Sequence, residues 1–570
     1  MRRAVLVLVV AALACAPAAG AADPGDVDVS FGPGGVAYAL PSPQPATAWG
    51  VTVTRGGAVI AAGVQERPRL NPQDPPEWVG ALVRWTPDGV VDPTFGLLGS
   101  APTPGGAQVS TAPAQRPSGG FVTGGTLPRD RSAAFATLAF GDSGQPDPTF
   151  GDVGVSITGA GSAGEAIAQP DGKVVTVGAI GSGMIALVRH DRLGRLDQTF
   201  GEGGIVRTRL VQEGGIAIAH ALARQPDGRI VVAAWGVDED TRRGIADPSK
   251  LKSGWFVLRY RPDGTLDPTF GDGGIVRDPT GPSALNVTNH DVAIQPDGRI
   301  LVAGSASKGN ASGAPFGISD TYAAVIRYRP DGTRDTGFGR DGIAALPDVR
   351  SGRAVAIQPD GRIVLGAYYE KYVDKRWDEA FALGRFRADG RPDTSFGHDG
   401  LVLTRGASAG TATVALQGIV DVDLQGDRIL ATGPVKECGH GVFAVIAYHA
   451  AESPLPAAAG PQVRLCTPKP EAEPDGDLPI DLGCPALERL CDGDITVELP
   501  GGDGVRVPVA KARFRARGGR ARTAEPRLPK AVRKTLDQRR KLKATVLIRA
   551  RNHRGRRASV RRRIVMRAAP

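Results

Sequence analysis

Two histidines and an arginine fall at the same place in three consecutive repeats of this 570-residue chain. His220, His290 and Arg353 each stand five residues before the Gln that opens a Gln-Pro-Asp-Gly turn. Imidazole and guanidinium groups side by side make a hydrogen-bonding or cationic arc, a chemistry suited to an anionic group. The counterpart positions hold Trp49, Thr111, Gly164 and Ile419, so the position varies in chemistry while the turns beside it hardly change. A second concentration is aromatic: Tyr368, Tyr369, Tyr372 and Trp377 crowd one segment of a chain that is only 5% aromatic. Exposed rings there offer flat apolar faces to sugars or peptides. The candidate ligand-binding residues are these eight: Trp49, His220, His290, Arg353, Tyr368, Tyr369, Tyr372 and Trp377.

Catalytic and metal motifs are weaker. Gly159 to Gly164 matches G-x-G-x-x-G, but the chain has 78 Gly and no βαβ context surrounds the match. Gly406 to Gly410 matches a nucleophile elbow, yet it lies between strands and not before a helix. No H-E-x-x-H occurs, the seven His are scattered, and no Cys-x-x-Cys pair suggests zinc. No catalytic residue, metal or cofactor is expected.

These residues sit on a repeat. Asp-x-x-Phe-Gly occurs seven times, with Phe at 31, 95, 150, 200, 270, 338 and 396, a mean period of about 61 residues. An Asp recurring in every unit reads as a turn cap, and the Phe as a plug between units, ahead of a calcium or acid/base role. A Gly-rich turn and a short apolar run follow each Phe-Gly. An alternating segment then ends in Gln-Pro-Asp-Gly-Arg before a Val/Ile/Ala run, clearest at Gln225, Gln295 and Gln358. Pro presets one turn torsion and Gly accepts the positive φ of the reversal, so the flanking runs form a hairpin. A third strand, such as Phe256 to Tyr260, and a further turn close the unit.

Four short antiparallel strands per unit, repeated seven times, predict an all-β, seven-bladed β-propeller. The chain order is D-A-B-C, with strand A innermost. The last unit ends on its C strand, Phe443 to Tyr448, while a spare D strand, Val27 to Leu40, opens the mature chain. The N-terminal strand is therefore expected to complete the final blade and close the ring.

The repeat resembles the delta-60 repeat family, a β-propeller domain of unknown function in secreted bacterial proteins. The resemblance rests on Leu266-Asp267-Pro268-Thr269-Phe270-Gly271-Asp272-Gly273-Gly274-Ile275-Val276 with Ala293-Ile294-Gln295-Pro296-Asp297-Gly298-Arg299-Ile300-Leu301-Val302-Ala303-Gly304. It covers roughly residues 27 to 450 and is strongest in the middle four units. The first, second and seventh units drift: Arg55-Gly56-Gly57, Arg116-Pro117-Ser118-Gly119 and Gln425-Gly426-Asp427 replace the common turn. The family brings no established catalytic residues.

Residues 1–21 have a basic start, an apolar run from Val5 to Ala14 and small residues at Ala19-Gly20-Ala21, the layout of a secretory signal peptide. Cys15 sits in an imperfect lipoprotein site, so a lipid anchor is the alternative to free secretion. No other stretch is long and apolar enough to span a bilayer. Cys438, Cys466, Cys484 and Cys491 remain; in an exported chain they read as disulfides with three possible connectivities, Cys484–Cys491 being the shortest loop. Residues 501–570 carry 24 Lys and Arg against Asp503, Glu525 and Asp537, a net of +21, which leaves −11 for residues 1–500. The expected layout is a propeller over 22–452, a Pro-rich linker over 453–483 and a basic Ig-like β-sandwich over 484–570 with one helical turn near Ala531 to Arg539.

Long loops between strands B and C, at Gln65 to Trp78, Val237 to Gly254, Ser305 to Thr321 and Tyr368 to Glu379, lie on the face where strand A enters. The reading is a secreted, non-catalytic binding or cell-surface module whose top face takes a glycan, a peptide or an anionic surface polymer. The alternatives are an extracellular enzyme at the propeller mouth, a lyase, hydrolase or quinone-dependent dehydrogenase, and a structural envelope protein.

Overall fold

The computed structural model describes residues 21–32, 35–39, 45–67, 76–128, 133–239, 254–278, 289–307, 321–373, 376–405, 414–416, 418–437, 440–451, 453–454, 464–465, 470–473, 475, 477–483, 490–500, 506–517, 521–552 and 557–568. Among them the chain is almost wholly β. Six four-stranded antiparallel sheets follow one another, each with its strands in the spatial order A-B-C-D. The fourth shows the pattern: A is Ile216–Arg224, B is Ile230–Val237, C is Gly254–Tyr260 and D is Ile275–Asp278. Its A–B turn closes as Pro-Asp-Gly requires: the Arg229 and Gln225 backbones bond at 2.8 Å, and Gly228 sits at φ +90°. Every residue of strand B is buried, because the sheet is covered on both faces; that explains its continuous apolar run.

The last sheet of the repeat region is six-stranded and is built from both of its ends, with Val414–Leu416 and Val435–Glu437 added beside the strand that follows them. Asp421–Gln425, Arg428–Thr432 and His440–His449 supply strands A, B and C. Val36–Ala39 pairs antiparallel with the last of these, Val36 opposite Ile446 and Ala39 opposite Phe443, and Val27 bridges Tyr448. The expected pairing of the N-terminal strand is thus present. Cores are shared between consecutive sheets: Val231 and Val257 with Val302 and Ile326, Leu430 and Val445 with Ala61 and Val83, Val122 with Val174.

The Asp-x-x-Phe-Gly phrase locks one sheet to the next. All seven Phe are fully buried. The Asp carboxylate caps its own turn, as where the backbone N–H of Thr269 donates to Asp267 Oδ1 at 3.1 Å. The N–H of each following Gly donates to a carbonyl in the adjacent sheet: Gly201 to Asp263, Gly271 to Asp331, Gly339 to Asp389, and Gly397 back to Pro24. A guanidinium completes the arrangement. Arg84, Arg189, Arg259, Arg327 and Arg385 on strand C pair with the Asp that follows them in their own sheet and lie over its Phe, 4.3 to 4.7 Å from the ring centroid. Where strand C carries Ala139 or Ala447 instead, the A–B turn supplies Arg116 to Asp147 and Arg428 to Asp28. The drifting turns of the second and seventh units therefore keep the ion pair by a different route.

Residues after the ring form two further sheets around one core. Arg464–Leu465, Ile480–Gly483 and Ala521–Ala524 make the first; Glu471–Ala472, Leu490–Pro500, Arg506–Arg517, Lys541–Asn552 and Arg557–Ala568 make the second. Leu478, Ile480 and Leu482 pack with Ile495, Phe514, Val546 and Ile564. Part of the stretch read as a linker is therefore structural: its apolar Leu478, Ile480 and Leu482 complete this core. The helical turn is a full helix, α1, Lys530–Arg539, which buries Leu536 and ends at Arg540 with φ +58°.

Residues 1–20, with the expected signal peptide and Cys15, lie outside the described residues, as do Cys438, Cys466, Cys484 and Gly406 to Gly410. Cys491 is buried in the C-terminal core. No helix among the described residues is long and apolar enough to cross a membrane.

Candidate functional site

The A strands meet each other around the ring, so they line its centre. Five of them carry an irregularity at one shared place. Pairing with strand B shifts between Ala48 and Gly50, Ala163 and Ala166, Ala219 and Ala221, Asn289 and Asp291, and Gly352 and Ala354. The extra residues are Trp49, Gly164 with Glu165, His220, His290 and Arg353. A bulge leaves its extra residue unpaired, bends the strand and re-aims the side chain. Trp49, His220, His290 and Arg353 are all partly exposed at these bulges.

Neighbouring positions touch around the ring. Thr111 Oγ1 donates to Gly164 O at 3.4 Å. Gly164 must stay small, since a Cβ there would lie 3.0 Å from Ala219 O and 3.2 Å from His220 O. The His220 and His290 rings are 5.3 Å apart between centroids, and the Arg353 charge acts on both. Ile419 leaves the series: it is fully buried against Gly366 in the last interface.

The electrostatics correct the cationic arc. Burial, with Arg353 beside it, holds His220 down at about 4. Burial, Arg353 and His220 together hold His290 well below the ordinary histidine value. Both imidazoles are neutral near pH 7, and Arg353 carries the charge alone. Burial lowers its pKa too, and Tyr368 opposes that. Among the described residues no carboxylate pairs with Arg353.

The aromatic cluster is also revised. Tyr368 to Glu379 is not a free loop; the B and C strands run on as a hairpin, Ile363–Val373 with Arg376–Phe386. Along a strand, side chains alternate between faces, so the rings cannot all face one way. Tyr369 is buried in an interface core, with the Arg405 guanidinium 5.5 Å from its ring centroid, and offers no face to a ligand. Tyr368 is partly exposed; its hydroxyl donates to Glu379 at 3.1 Å, and burial and that carboxylate push it up to about 12. Tyr372 and Trp377 stand opposite each other near the hairpin tip, with side chains outside the described residues. The B–C segments 68–75, 240–253 and 308–320 are also outside them.

Four carboxylates of the A strands escaped the sequence reading. Glu165 and Asp291 stand one position beyond the variable one and Asp421 two beyond Ile419, all three of them four residues before Gln169, Gln295 and Gln425, and Asp423 follows. Each accepts a backbone N–H from the A strand of the next sheet: Leu222 to Glu165 at 2.9 Å, Val355 to Asp291 at 2.7 Å, Val51 to Asp421 at 2.8 Å and Val53 to Asp423 at 2.7 Å. Inner strands expose unpaired N–H groups, and these carboxylates satisfy them. Burial and Asp291 push Glu165 up to about 8, and burial pushes Asp291 to about 6 against the opposing bonds from Val355 and Val292. Burial and Asp291 raise Asp421 as well, and burial raises Asp423. A carboxylate where Ala221 and Ala354 stand in other repeats was the available signal. No group of three metal-ligating side chains occurs among the described residues.

A family model described as a domain of unknown function (DUF5122) beta-propeller matches residues 252–270, 295–316 and 358–396. The chain is a β-propeller. Among solved structures, the propeller chain is similar to the extracellular domains of a one component system and a hybrid two component system from B. thetaiotaomicron. Both are 8% identical, with TM-scores of 0.35 and 0.33; the matches cover 96% and 94% of this chain and 59% and 58% of those domains. It is also similar to the Penicillium chrysogenum alpha-L-arabinanase complexed with arabinobiose, at 11% identity and a TM-score of 0.31, covering 65% of this chain and 98% of that one. No curated protein matches the sequence.

Proposed function

We propose that the protein is an exported, seven-bladed binding propeller, closed by its N-terminal strand, whose ligand site is the channel mouth around Arg353, His220 and His290. The ligand is read as carrying an anionic group, on a glycan or a peptide, with Trp49 and Tyr368 as flanking faces. One observation carries the reading: a guanidinium among protein groups, beside two neutral imidazoles, with no carboxylate partner among the described residues. An unpaired charge in such a place costs several kcal/mol, which an incoming anion offsets. The same reading includes a cleaved signal peptide, free secretion or a lipid on Cys15, disulfides among the four C-terminal Cys, and a separate basic β-sandwich.

Titration calorimetry of the full chain with sulfate and with glucuronate tests the site. Binding weakened at least tenfold in Arg353→Ala, with a melting temperature that is not lowered, supports it; equal binding by that variant refutes it. A second reading is favoured by Glu165, held protonated near neutral pH and so suited to general acid work in a lyase or hydrolase. Turnover of acidic oligosaccharides that disappears in Glu165→Gln would establish it, whereas binding without turnover supports the module.

A further inference from the structure

We propose that the outer face of the five-stranded C-terminal sheet docks a linear polyanion whose phosphate or sulfate groups are read by charge alone. This site is separate from the channel. Along Lys541–Asn552, Ala544, Val546 and Ile548 are buried in the core, while Lys541, Lys543, Arg549 and Arg551 alternate with them and are exposed. The adjoining strand, Arg557–Ala568, buries Ile564 and Met566 and exposes Arg557, Arg561 and Arg563. Register brings both sets to one face, with Arg551 opposite Arg557 and Thr545 opposite Arg563. On the same face, beyond the neighbouring strand Leu490–Pro500, exposed Arg513 and Arg515 oppose Asp494 and Asp492, which in turn oppose Arg549 and Arg551.

Too few acids share that face to neutralise it. Asp492 lies 2.9 Å from Arg551 and 3.8 Å from Arg515, and Glu498 lies 3.7 Å from Arg561. Among the described residues no acid is within ion-pair distance of Arg513, Lys543, Arg549, Arg557 or Arg563. Asp492 acts on Arg513 at longer range and Asp494 stands opposite Arg513 and Arg549, but two acids do not balance these five cations, and anions from outside would relieve the remaining repulsion.

The layout selects the partner. Within the pairs Lys541 with Lys543 and Arg549 with Arg551 the cations stand about 7 Å apart along the strand, and neighbouring strands about 5 Å apart, with buried Thr545 and Leu547 between the two pairs; this is a flat array and not a converging pocket. An extended polymer with regularly spaced charges meets such an array repeatedly. Phe514, the unit's single aromatic residue, is buried, so no ring is available to stack on bases. Among the described residues of this unit Val507 is the one large apolar side chain that is exposed, too little to anchor it in a bilayer.

The test uses the full chain with long-chain inorganic polyphosphate, single-stranded DNA and phosphatidylglycerol vesicles as probes. With about six charge contacts, polyphosphate affinity should fall about 300-fold between 50 and 200 mM salt; with three removed, only about 20-fold. K543Q/R549Q/R563Q should show the shallow dependence. K530Q/K534Q/R539Q, which removes three exposed cations from α1, should keep the steep one, and Arg353→Ala should change nothing. Equal losses in the sheet and helix variants, no polyphosphate binding at 50 mM salt, or tighter binding to DNA or vesicles than to polyphosphate would each overturn the proposal.

Discussion

Replacing Arg259 by Leu should destabilise the propeller far more than replacing Arg229 by Gln, although both guanidinium groups lie 2.8 Å from Asp267. The Arg259 side chain is 7% exposed and that of Arg229 36%. Arg259 also donates to Pro330 O in the next sheet and to Thr269 Oγ1 at 3.0 Å, and lies 4.7 Å from the Phe270 centroid. Removing a buried partner of a buried charge costs about 3 to 5 kcal/mol. The remaining Arg229 lowers that figure, and the lost inter-sheet hydrogen bond and ring contact add about 1 kcal/mol each. The expectation is about 4 kcal/mol for Arg259→Leu and under about 1 kcal/mol for Arg229→Gln, whose pair is half in solvent. Urea unfolding at pH 7 measures both. The acid limb gives a second reading: burial pushes Asp267 up, but the Thr269 bonds and the two arginines outweigh it and hold it at about 2. A depressed folded pKa contributes stability above the unfolded value and loses it as pH falls through the folded one. Arg259→Leu should therefore lose less stability than wild type between pH 4 and 2. Equal costs for the two variants would refute the assignment of the inter-sheet link to the strand-C arginine.

Deleting residues 22–40 should expose the edge of strand His440–His449 and produce aggregation or a broad, non-cooperative melt by light scattering and calorimetry. Glu165 is raised from 4.5 to about 8, so its contribution is present below pH 4.5 and lost as pH rises to about 8; Glu165→Gln should flatten denaturation midpoints over that window. His220 is depressed from 6.5 to about 4, so stability should fall as pH drops through that range, less steeply in His220→Gln, followed by thermal melts. Ala substitution of His220, His290 and Arg353 together should leave the melting temperature within a few degrees and abolish ligand capture.

The repeat phrase exposed the ring because its parts are local: a Pro-Asp-Gly turn, a plugging Phe and a capping Asp act within a few residues. The N-terminal strand's partner was legible by counting strands. What stayed hidden depends on neighbours far along the chain. Glu165 and Asp421 look like ordinary polar residues until the bare N–H groups of Leu222 and Val51 come beside them. The bulges at His220 and Arg353 show only in the pairing, and they decide which residue turns out of the sheet. Tyr369 misled because the aromatic cluster was read as a loop, where alternation does not apply; in a hairpin it falls on the buried face. The stretch before residue 484 looked like a linker because Pro and Ala outnumber its large core residues, Leu478, Ile480 and Leu482.

Closing the last sheet with Val36–Ala39 also sets an order of events. Its contacts reach across the repeat region, as between Asp28 and Arg428, which are 400 residues apart in sequence. Loop-closure entropy grows as the logarithm of length, so joining such ends costs about 3 kcal/mol more than forming a 20-residue hairpin. The intervening sheets repay that cost only after they have stacked and brought the two ends together. The latch is therefore expected to form last in folding, and a pull on the N-terminus would load the Ala21–Ala22 pairing with Ser453–Pro454 and the Gly397–Pro24 bond before it reached the four residues of Val36–Ala39.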